Sequence, residues 1–221
     1  MNLVDQLRKA FDPHSELERA QSQQAYLKDQ FPFLGISKPI QQKICAQVFP
    51  QIPFSSLEET ALELWGAGER EFHYAALDFV LFHRKKWEKR HLELFEKLVR
   101  TQSWWDTVDT IAVHLIGPLL LEHPELVSAR DRWLADPDFW VRRSALLFQL
   151  RWKERTDEKW LFSACLKLAG EKEFFIRKAI GWALREYGKT TPAAVKKFLE
   201  ENKQILSPLS YREGGRLIDA C

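Results

Sequence analysis

The sequence predicts an all-α fold assembled from repeated helix pairs. Apolar residues recur three or four positions apart in stretches such as FVLFHRKKW, SALLFQLRW and AIGWALREY, which is the spacing of one helix face. No stretch alternates convincingly between apolar and polar residues, as a half-buried strand does. Glycine and proline fall mostly between the apolar stretches, where they separate one helix from the next.

A repeat of about 35 residues supports the same architecture. Aromatic residues recur at Phe72, Trp104 and Trp105, Phe139 and Trp140, and Phe174 and Phe175. The intervals between Phe72, Trp105, Trp140 and Phe175 are 33, 35 and 35 residues. Such a period is typical of stacked helix pairs, each of which cannot bury its apolar face alone. A HEAT-like α-solenoid fits this period best, and we predict a single domain over residues 1–221.

Each helix that begins with these aromatic residues is followed by a partner helix. The predicted partners have the sequences HLELFEKLVR at His91–Arg100, ELVSARDRWLA at Glu125–Ala135 and KWLFSACLKLAG at Lys159–Gly170. Short turns lie between the helices, such as ADPD at Ala135–Asp138 and KTTP at Lys189–Pro192. The connections are therefore too short to form large independent loops.

Composition indicates a soluble protein with reduced thiols. The chain of 221 residues is long enough to bury a core, and no apolar run approaches the roughly 18 residues of a membrane-spanning helix. Cys45, Cys165 and Cys221 are far apart and lack CxxC spacing, which argues against a disulfide framework or a metal site. We therefore expect a cytoplasmic protein that requires no metal or cofactor.

Charge is unevenly distributed, although the formal net charge is only +2. Residues 139–203 contain 15 lysines and arginines against 8 aspartates and glutamates, and the remainder contains 18 against 23. The basic block from 139 to 203 is compatible with solvated helix faces and also with a surface that binds an anionic polymer.

The repeats provide an internal comparison of equivalent positions. Four residues after the second aromatic of each repeat stand Ala76, Asp109, Ser144 and Ala179. Small residues indicate close helix packing, so a carboxylate at this position needs a partner or a solvated cleft. Asp109 could belong to a structural ion pair, but it lies too far into its helix to act as a cap, a role that Asp106 suits better. The comparison favours a functional role for Asp109.

The large indoles have two interpretations. Trp140 fits a packing role between helix layers. For Trp105 and Trp182, the repeat pattern supports core packing and ligand contact equally. Trp182 stands where other repeats carry Phe79, Ala112 or Leu147, and it follows a glycine.

Four segments in order resemble the AlkD family of bacterial DNA alkylation-repair glycosylases. They are YLKDQFPFLGI at Tyr26–Ile36, SWWDTVD at Ser103–Asp109, FWVRRSALLFQL at Phe139–Leu150 and KEFFIRKAIGWALREYGKTTP at Lys172–Pro192, and SPLSYREG at Ser207–Gly214 extends the similarity. The resemblance covers almost the whole chain. It implies a HEAT-like fold with a concave basic DNA-binding face, and a monomer that acts on double-stranded DNA containing alkylated bases.

The resemblance also implies an activity and a set of site residues. The activity is hydrolysis of the N-glycosidic bond of cationic N3- or N7-alkylated purines, without insertion of the base into a pocket. The catalytic positions correspond to Asp109, Trp105 and Trp182. The implied DNA contacts include Arg143 and Tyr26, and we extend the basic contact surface to neighbouring residues Arg142, Arg177, Lys178 and Arg185. Arg142 and Arg143 diverge by about 100° on a helix, so only one can point squarely into the groove.

These residue types suit the chemistry. Cleavage of a glycosidic bond develops positive charge on the sugar, which a carboxylate can stabilise while it orients water. A cationic purine leaves as a neutral base without protonation, so one carboxylate suffices. Indole faces attract cations by roughly 0.5–2 kcal/mol.

Two alternatives remain open on the sequence. A non-catalytic HEAT-repeat scaffold could bind DNA structures or a protein, although it would not need Asp109 where sister repeats hold Ala or Ser. A metal-dependent hydrolase lacks suitably spaced ligands, because His83, His91, His114 and His123 do not form a metal-site pattern. We interpret these histidines as surface or packing residues.

Overall fold

The computed structural model describes residues 3–218, and within that range it is helical and contains no strand. The all-α prediction is confirmed. The helices, apart from short 3₁₀ turns and one π-helical segment, are α1 Leu3–Phe11, α2 Leu17–Tyr26, α3 Lys38–Val48, α4 Leu57–Trp65, α5 Arg70–Phe82, α6 His91–Arg100, α7 Trp105–Thr110, α8 Gly117–Glu122, α9 Ala129–Leu134, α10 Phe139–Leu147, α11 Glu158–Lys167, α12 Phe174–Gly188, α13 Pro192–Glu201 and α14 Pro208–Gly215. The chain divides after Glu88 into two compact units.

In the first unit, helices α1, α3, α4 and α5 pack against one another. Leu7 and Phe11 of α1 are fully buried, and the Phe11 ring lies 5.6 Å from that of Phe72 on α5. Arg8 donates two hydrogen bonds of 2.7 Å to Glu69 at the start of α5. Apolar packing and one bidentate ion pair therefore fix the first helix on the fifth.

A buried carboxylate organises the connection between α2 and α3. Glu71 is 1% exposed and accepts hydrogen bonds from the backbone N–H groups of Leu34, Gly35 and Ile36 at 3.0, 2.8 and 3.2 Å. Gly35 has φ +81°, and a Cβ there would lie 2.1 Å from the carbonyl oxygen of Glu16. Only glycine fits this conformation and this close approach.

In the second unit, α10 is the central helix. It packs against α6, α7, α9, α11 and α12, and α12 in turn packs against α13 and α14. Polar contacts recur about one repeat apart in the chain: Arg100 pairs with Asp136, Trp133 Nε1 donates to Glu96, and Trp152 Nε1 donates to the carbonyl of Gly117. These contacts link equivalent elements of successive repeats.

The helix that follows Trp104 changes its winding in the middle. Residues Ile111–Ile116 are π-helical between α7 and α8, and the backbone remains helical on both sides. Pro118 has no N–H to donate to the carbonyl four residues earlier. Gly117 lies so close to α10 that a Cβ would be 2.2 Å from the carbonyl oxygen of Phe148.

Cys45 and Cys165 are buried free thiols. Burial raises the pKa of Cys45 to about 12 and raises that of Cys165 further. Cys221 lies outside the described residues. Among the helices that the structure describes, none has the length and apolar character that crossing a bilayer requires.

The close approach at Gly117 generates a stability prediction. We expect Gly117→Ala to lower the free energy of unfolding by about 1–3 kcal/mol, because the new methyl group would push α8 away from the Phe148 carbonyl. Gly170→Ala is the matched control, since a Cβ there would have no neighbour within 4 Å. Urea unfolding of both variants measures the difference, and equal stability would contradict the packing argument.

Candidate active site

Asp109 lies near the start of the helix that follows the two adjacent indoles. Trp104 is extended, with φ −155°, and α7 begins at Trp105. The residues at the position of Asp109 in the other repeats, Ala76, Ser144 and Ala179, are at most 2% exposed. Asp109 therefore occupies a position that otherwise faces the interior.

Arg143 provides the partner of this carboxylate. Its Nε and Nη2 donate to the two oxygens of Asp109 at 2.7 and 2.8 Å, and its Nη1 donates to the carbonyl of Phe175. The side chains of Arg143 and Asp109 are 5% and 14% exposed. Because the three residues belong to successive repeats, the guanidinium links all three repeats through one group.

The environment of Asp109 acts on its pKa in two directions. Burial raises the pKa above its ordinary value, whereas the hydrogen bonds and positive charge of Arg143 oppose that rise, and the net effect is a raised pKa. The nearby carboxylate of Asp106 adds a smaller upward shift. Arg143 thus favours the ionised form of a carboxyl group that would otherwise be protonated more readily.

An open cleft of about 310 Å³, here called the Asp109 cleft, begins at this pair. It is lined by Asp109, Thr110, Val113, His114, Leu150, Arg151, Trp182 and Glu186. Two of the residues predicted from the sequence, Asp109 and Trp182, therefore line one cavity. A carboxylate and a half-buried indole in one solvent-open cleft can together attract a cationic group.

Trp105 is half-buried one helical turn before Asp109 and is not among the residues that line the Asp109 cleft. Its neighbour Trp104 packs against Trp140 and Phe175, with ring centroids 5.6 and 5.3 Å apart. Trp140 is 7% exposed in this cluster, in agreement with the packing role expected for it. The catalytic role of Trp105 stays a prediction.

Acidic residues engage most of the basic side chains predicted to contact DNA. Arg142 donates to both oxygens of Glu171 at 2.6 and 2.9 Å. Lys178 and Arg185 pair with the same carboxylate, Glu213, at 3.1 and 2.7 Å. These acidic partners therefore cancel part of the positive charge of α12, which the composition of the basic block alone does not show.

The remaining predicted contacts lie in different surroundings. Arg177 is half-buried, and its Nε donates to the carbonyl of Glu171 at 2.9 Å. Tyr26 is the last residue of α2 in the first unit and is 68% exposed. Arg143 is buried against Asp109 rather than extended into solvent. Their roles as DNA ligands stay predictions.

Three ionisable residues of the Asp109 cleft were not predicted as site residues from the sequence: His114, Arg151 and Glu186. The comparison of repeats stopped seven residues after the second aromatic of each repeat. Arg151 and Glu186 both stand eleven residues after it. Repeat spacing relates these two charged residues to each other but does not predict that both side chains line the same cleft.

No group of three or more His, Cys, Asp or Glu residues among residues 3–218 is arranged to hold a metal ion. His83 and His91 are buried, at 6% and 1% exposure. They lie in packed surroundings, as the interpretation of these histidines as packing or surface residues predicts.

The sequence and the structure are similar to DNA repair proteins. Residues 7–218 match the family model described as DNA alkylation repair enzyme. A solved structure described as a predicted DNA alkylation repair enzyme from Enterococcus faecalis is 33% identical, with a TM-score of 0.87, over 94% of this chain and 98% of that one. No curated protein matches the sequence.

Two more distant structures share the fold. AlkD2 from Streptococcus mutans has a TM-score of 0.64 at 18% identity and covers 90% of this chain and 99% of its own. The smu.31 protein from Streptococcus mutans UA159 has a TM-score of 0.61 at 19% identity, with coverage of 90% and 96%. The helical-repeat architecture expected from the sequence agrees with the AlkD-type fold of these neighbours.

The opposing influences on Asp109 generate a prediction about its ionisation. Replacement of Arg143 by Gln removes the group that lowers the pKa of Asp109, so we expect this pKa to rise further. Arg142→Gln is the control, because Arg142 pairs with Glu171 instead. NMR titration of the Asp109 side-chain carboxyl measures both variants, and an unchanged pKa in Arg143→Gln would contradict the assigned cause.

Proposed function

The chain belongs to the DNA alkylation repair enzyme family, and we propose that it is a DNA glycosylase. The proposed reaction is hydrolysis of the N-glycosidic bond of cationic N3- or N7-alkylated purines, such as 3-methyladenine and 7-methylguanine, in duplex DNA. The observation that carries the proposal is the carboxylate of Asp109, oriented by Arg143 and opening into the same cleft as Trp182.

The reaction needs little acid catalysis. When the bond between the purine N9 and the sugar C1′ breaks, its electron pair moves to N9 and neutralises the cationic base. The sugar becomes an oxocarbenium-like cation, which a nearby carboxylate stabilises by Coulomb attraction. Water then forms the new bond to C1′, and its proton passes to Asp109 or to solvent.

Within this mechanism, each side chain has a separate task. In this mechanism Asp109 faces the sugar, because it lines the cleft, whereas Arg143 is more deeply buried and does not line it. Trp182 offers an aromatic face to the positive charge of the lesion and of the transition state, worth about 0.5–2 kcal/mol. Arg143 is a positioning residue, because it keeps the carboxyl oriented and favours its ionised form.

The first functional prediction concerns Asp109. We expect Asp109→Asn to lower single-turnover release of 7-methylguanine from duplex DNA by about 100-fold or more, because the transition state loses its counter-charge. DNA binding should be retained. Asp106→Asn is the matched control, since Asp106 lies in the first turn of the same helix and does not line the Asp109 cleft.

The outcomes of this experiment separate the two functional hypotheses. Release that collapses only in Asp109→Asn supports the glycosylase. Wild-type DNA binding without release above the spontaneous rate supports the non-catalytic scaffold. An Asp106→Asn variant as inactive as Asp109→Asn would show that general loss of negative charge, rather than this carboxylate, is responsible.

The second functional prediction concerns bulky lesions. If the enzyme contacts the lesion from the sugar and backbone side, the size of the alkyl group has little influence on the reaction. We therefore expect release of a bulky cationic N3- or N7-purine adduct within about tenfold of the methylated base, a difference of about 1.4 kcal/mol. Quantification of both released bases from matched duplexes provides the test, and failure to release any bulky cationic adduct would count against this mode of recognition.

A further inference from the structure

A second cleft adjoins the Asp109 cleft. Its volume is about 330 Å³, and Leu150 and Glu186 line both cavities. We call it the Gln149 cleft, because Gln149 is its buried polar residue, 3% exposed. The two clefts meet at these two residues, and we call them together the trough; one of them is lined by the candidate catalytic residue Asp109.

Gln149 lines this cleft and carries an unused hydrogen-bond donor. Its Oε1 accepts from the backbone N–H of Asp157 at 2.8 Å, which fixes the orientation of the amide because an NH₂ group cannot accept that bond. Its Nε2 is buried and has no partner among the described residues. A buried donor without an acceptor is unfavourable, so the site suits a ligand that brings an acceptor oxygen.

The loop after α10 supplies positive charge to both clefts. Arg151 lines the Asp109 cleft and Lys153 lines the Gln149 cleft. Neither has an ion-pair partner among the described residues, in contrast to the two arginines of α10. Trp152, between them, holds the loop by donating to the carbonyl of Gly117 at 3.2 Å. The loop is thus attached to the helix segment that continues from Asp109.

The charges in the trough leave a positive surplus. Glu186 is paired with Lys189 at 2.6 Å. Glu154 then opposes the two free cations of the loop, Arg151 and Lys153, so the balance is one positive charge. The Asp109–Arg143 pair adds no net charge when both groups are ionised. Within the Gln149 cleft Lys153 is offset by Glu154, so the positive surplus that favours an anionic ligand is the charge of Arg151 at the adjoining Asp109 cleft.

We propose that the Gln149 cleft binds a phosphodiester group of the lesion-bearing DNA strand, next to the nucleotide whose sugar faces Asp109. In this arrangement Gln149 Nε2 donates to a non-bridging phosphate oxygen and Lys153 neutralises its charge. A phosphate oxygen can only accept hydrogen bonds, and Gln149 can offer only its NH₂ donor because its Oε1 is already occupied. Recognition of an adenine edge would require both the NH₂ donor and the Oε1 acceptor of the glutamine. The inference rests on the proposed function, because it assumes that DNA is the ligand.

Such a contact would set the register of the strand. A phosphate held in the Gln149 cleft fixes the position of the neighbouring sugar relative to Asp109 without contact to any base. Contacts of this kind carry no sequence information. They would allow the enzyme to distinguish a lesion from an undamaged nucleotide by the positive charge of its base, whatever the surrounding sequence.

The test uses binding, so that catalysis does not enter the measurement. The probe is a duplex with a tetrahydrofuran abasic-site analogue, and Kd is measured by fluorescence anisotropy at several salt concentrations. We expect Lys153→Gln to weaken binding several-fold. We also expect the slope of log Kd against log salt concentration to fall by about 0.9, which is the contribution of one phosphate contact. Arg155→Gln is the matched control, since Arg155 lies in the same turn but lines neither cleft.

Gln149 is tested by a neutral replacement of similar length. We expect Gln149→Met to weaken binding by about tenfold with an unchanged salt slope, because it removes a donor and no charge. Its unfolding midpoint is measured in parallel, since it also loses the contact to Asp157. If this variant does not fold, the exposed Lys153→Gln variant still decides the question.

Duplexes with single methylphosphonate substitutions then locate the contact. We expect the wild type to lose affinity when a phosphate flanking the abasic site is made neutral, and Lys153→Gln to be insensitive to that same substitution. Wild-type affinity and salt slope in both variants would overturn the cleft assignment, as would an equal loss in Arg155→Gln. If the variants are unaffected while the wild type releases 7-methylguanine, only this inference fails; if the wild type does not bind DNA, the proposed function fails as well.

Discussion

The structure of the site depends on the ion pair between Asp109 and Arg143. A carboxylate at a position that sister repeats fill with Ala or Ser is unfavourable unless it finds a partner. The partner comes from the next repeat, and its Nη1 donates to the carbonyl of Phe175 in the repeat after that. The candidate catalytic carboxylate is therefore held by contacts between three stacked repeats and not by its own helix alone.

The same stacking redistributes charge. Arg142 is held by Glu171, and Lys178 and Arg185 share Glu213, so acids from neighbouring segments offset much of the basic block. Cations without an acidic partner among the described residues include Arg151 and Lys153 in the loop after α10. Composition shows the excess of lysine and arginine over residues 139–203, and pairing between repeats decides which of these side chains keep no acidic partner.

The sequence predicts the helices and the special position of Asp109 because both depend on local periodicity. Comparison of equivalent positions isolates one carboxylate among small residues, and those small residues are indeed buried. The comparison could not predict that Arg143 turns inward to Asp109, because this depends on which helix faces which. Nor could it predict the π-helical segment at Ile111–Ile116 or the unsatisfied Nε2 of Gln149, because neither follows from the spacing of residues along the chain.

The arginine that holds Asp109 also weakens its attraction for a cation, so geometry decides whether the carboxylate can act. At an effective dielectric constant near 20, a carboxylate about 4 Å from the sugar cation contributes about 4 kcal/mol, and a guanidinium about 7 Å away opposes it by about 2.4 kcal/mol. The remainder, about 2 kcal/mol, requires the guanidinium to lie farther from the sugar than the carboxylate, in agreement with Arg143 being more buried than Asp109 and absent from the cleft lining. Trp182 adds attraction of similar size without a counter-ion. A site built from one paired carboxylate and one indole therefore suits substrates that already carry a positive charge, because a neutral purine would also require protonation to leave.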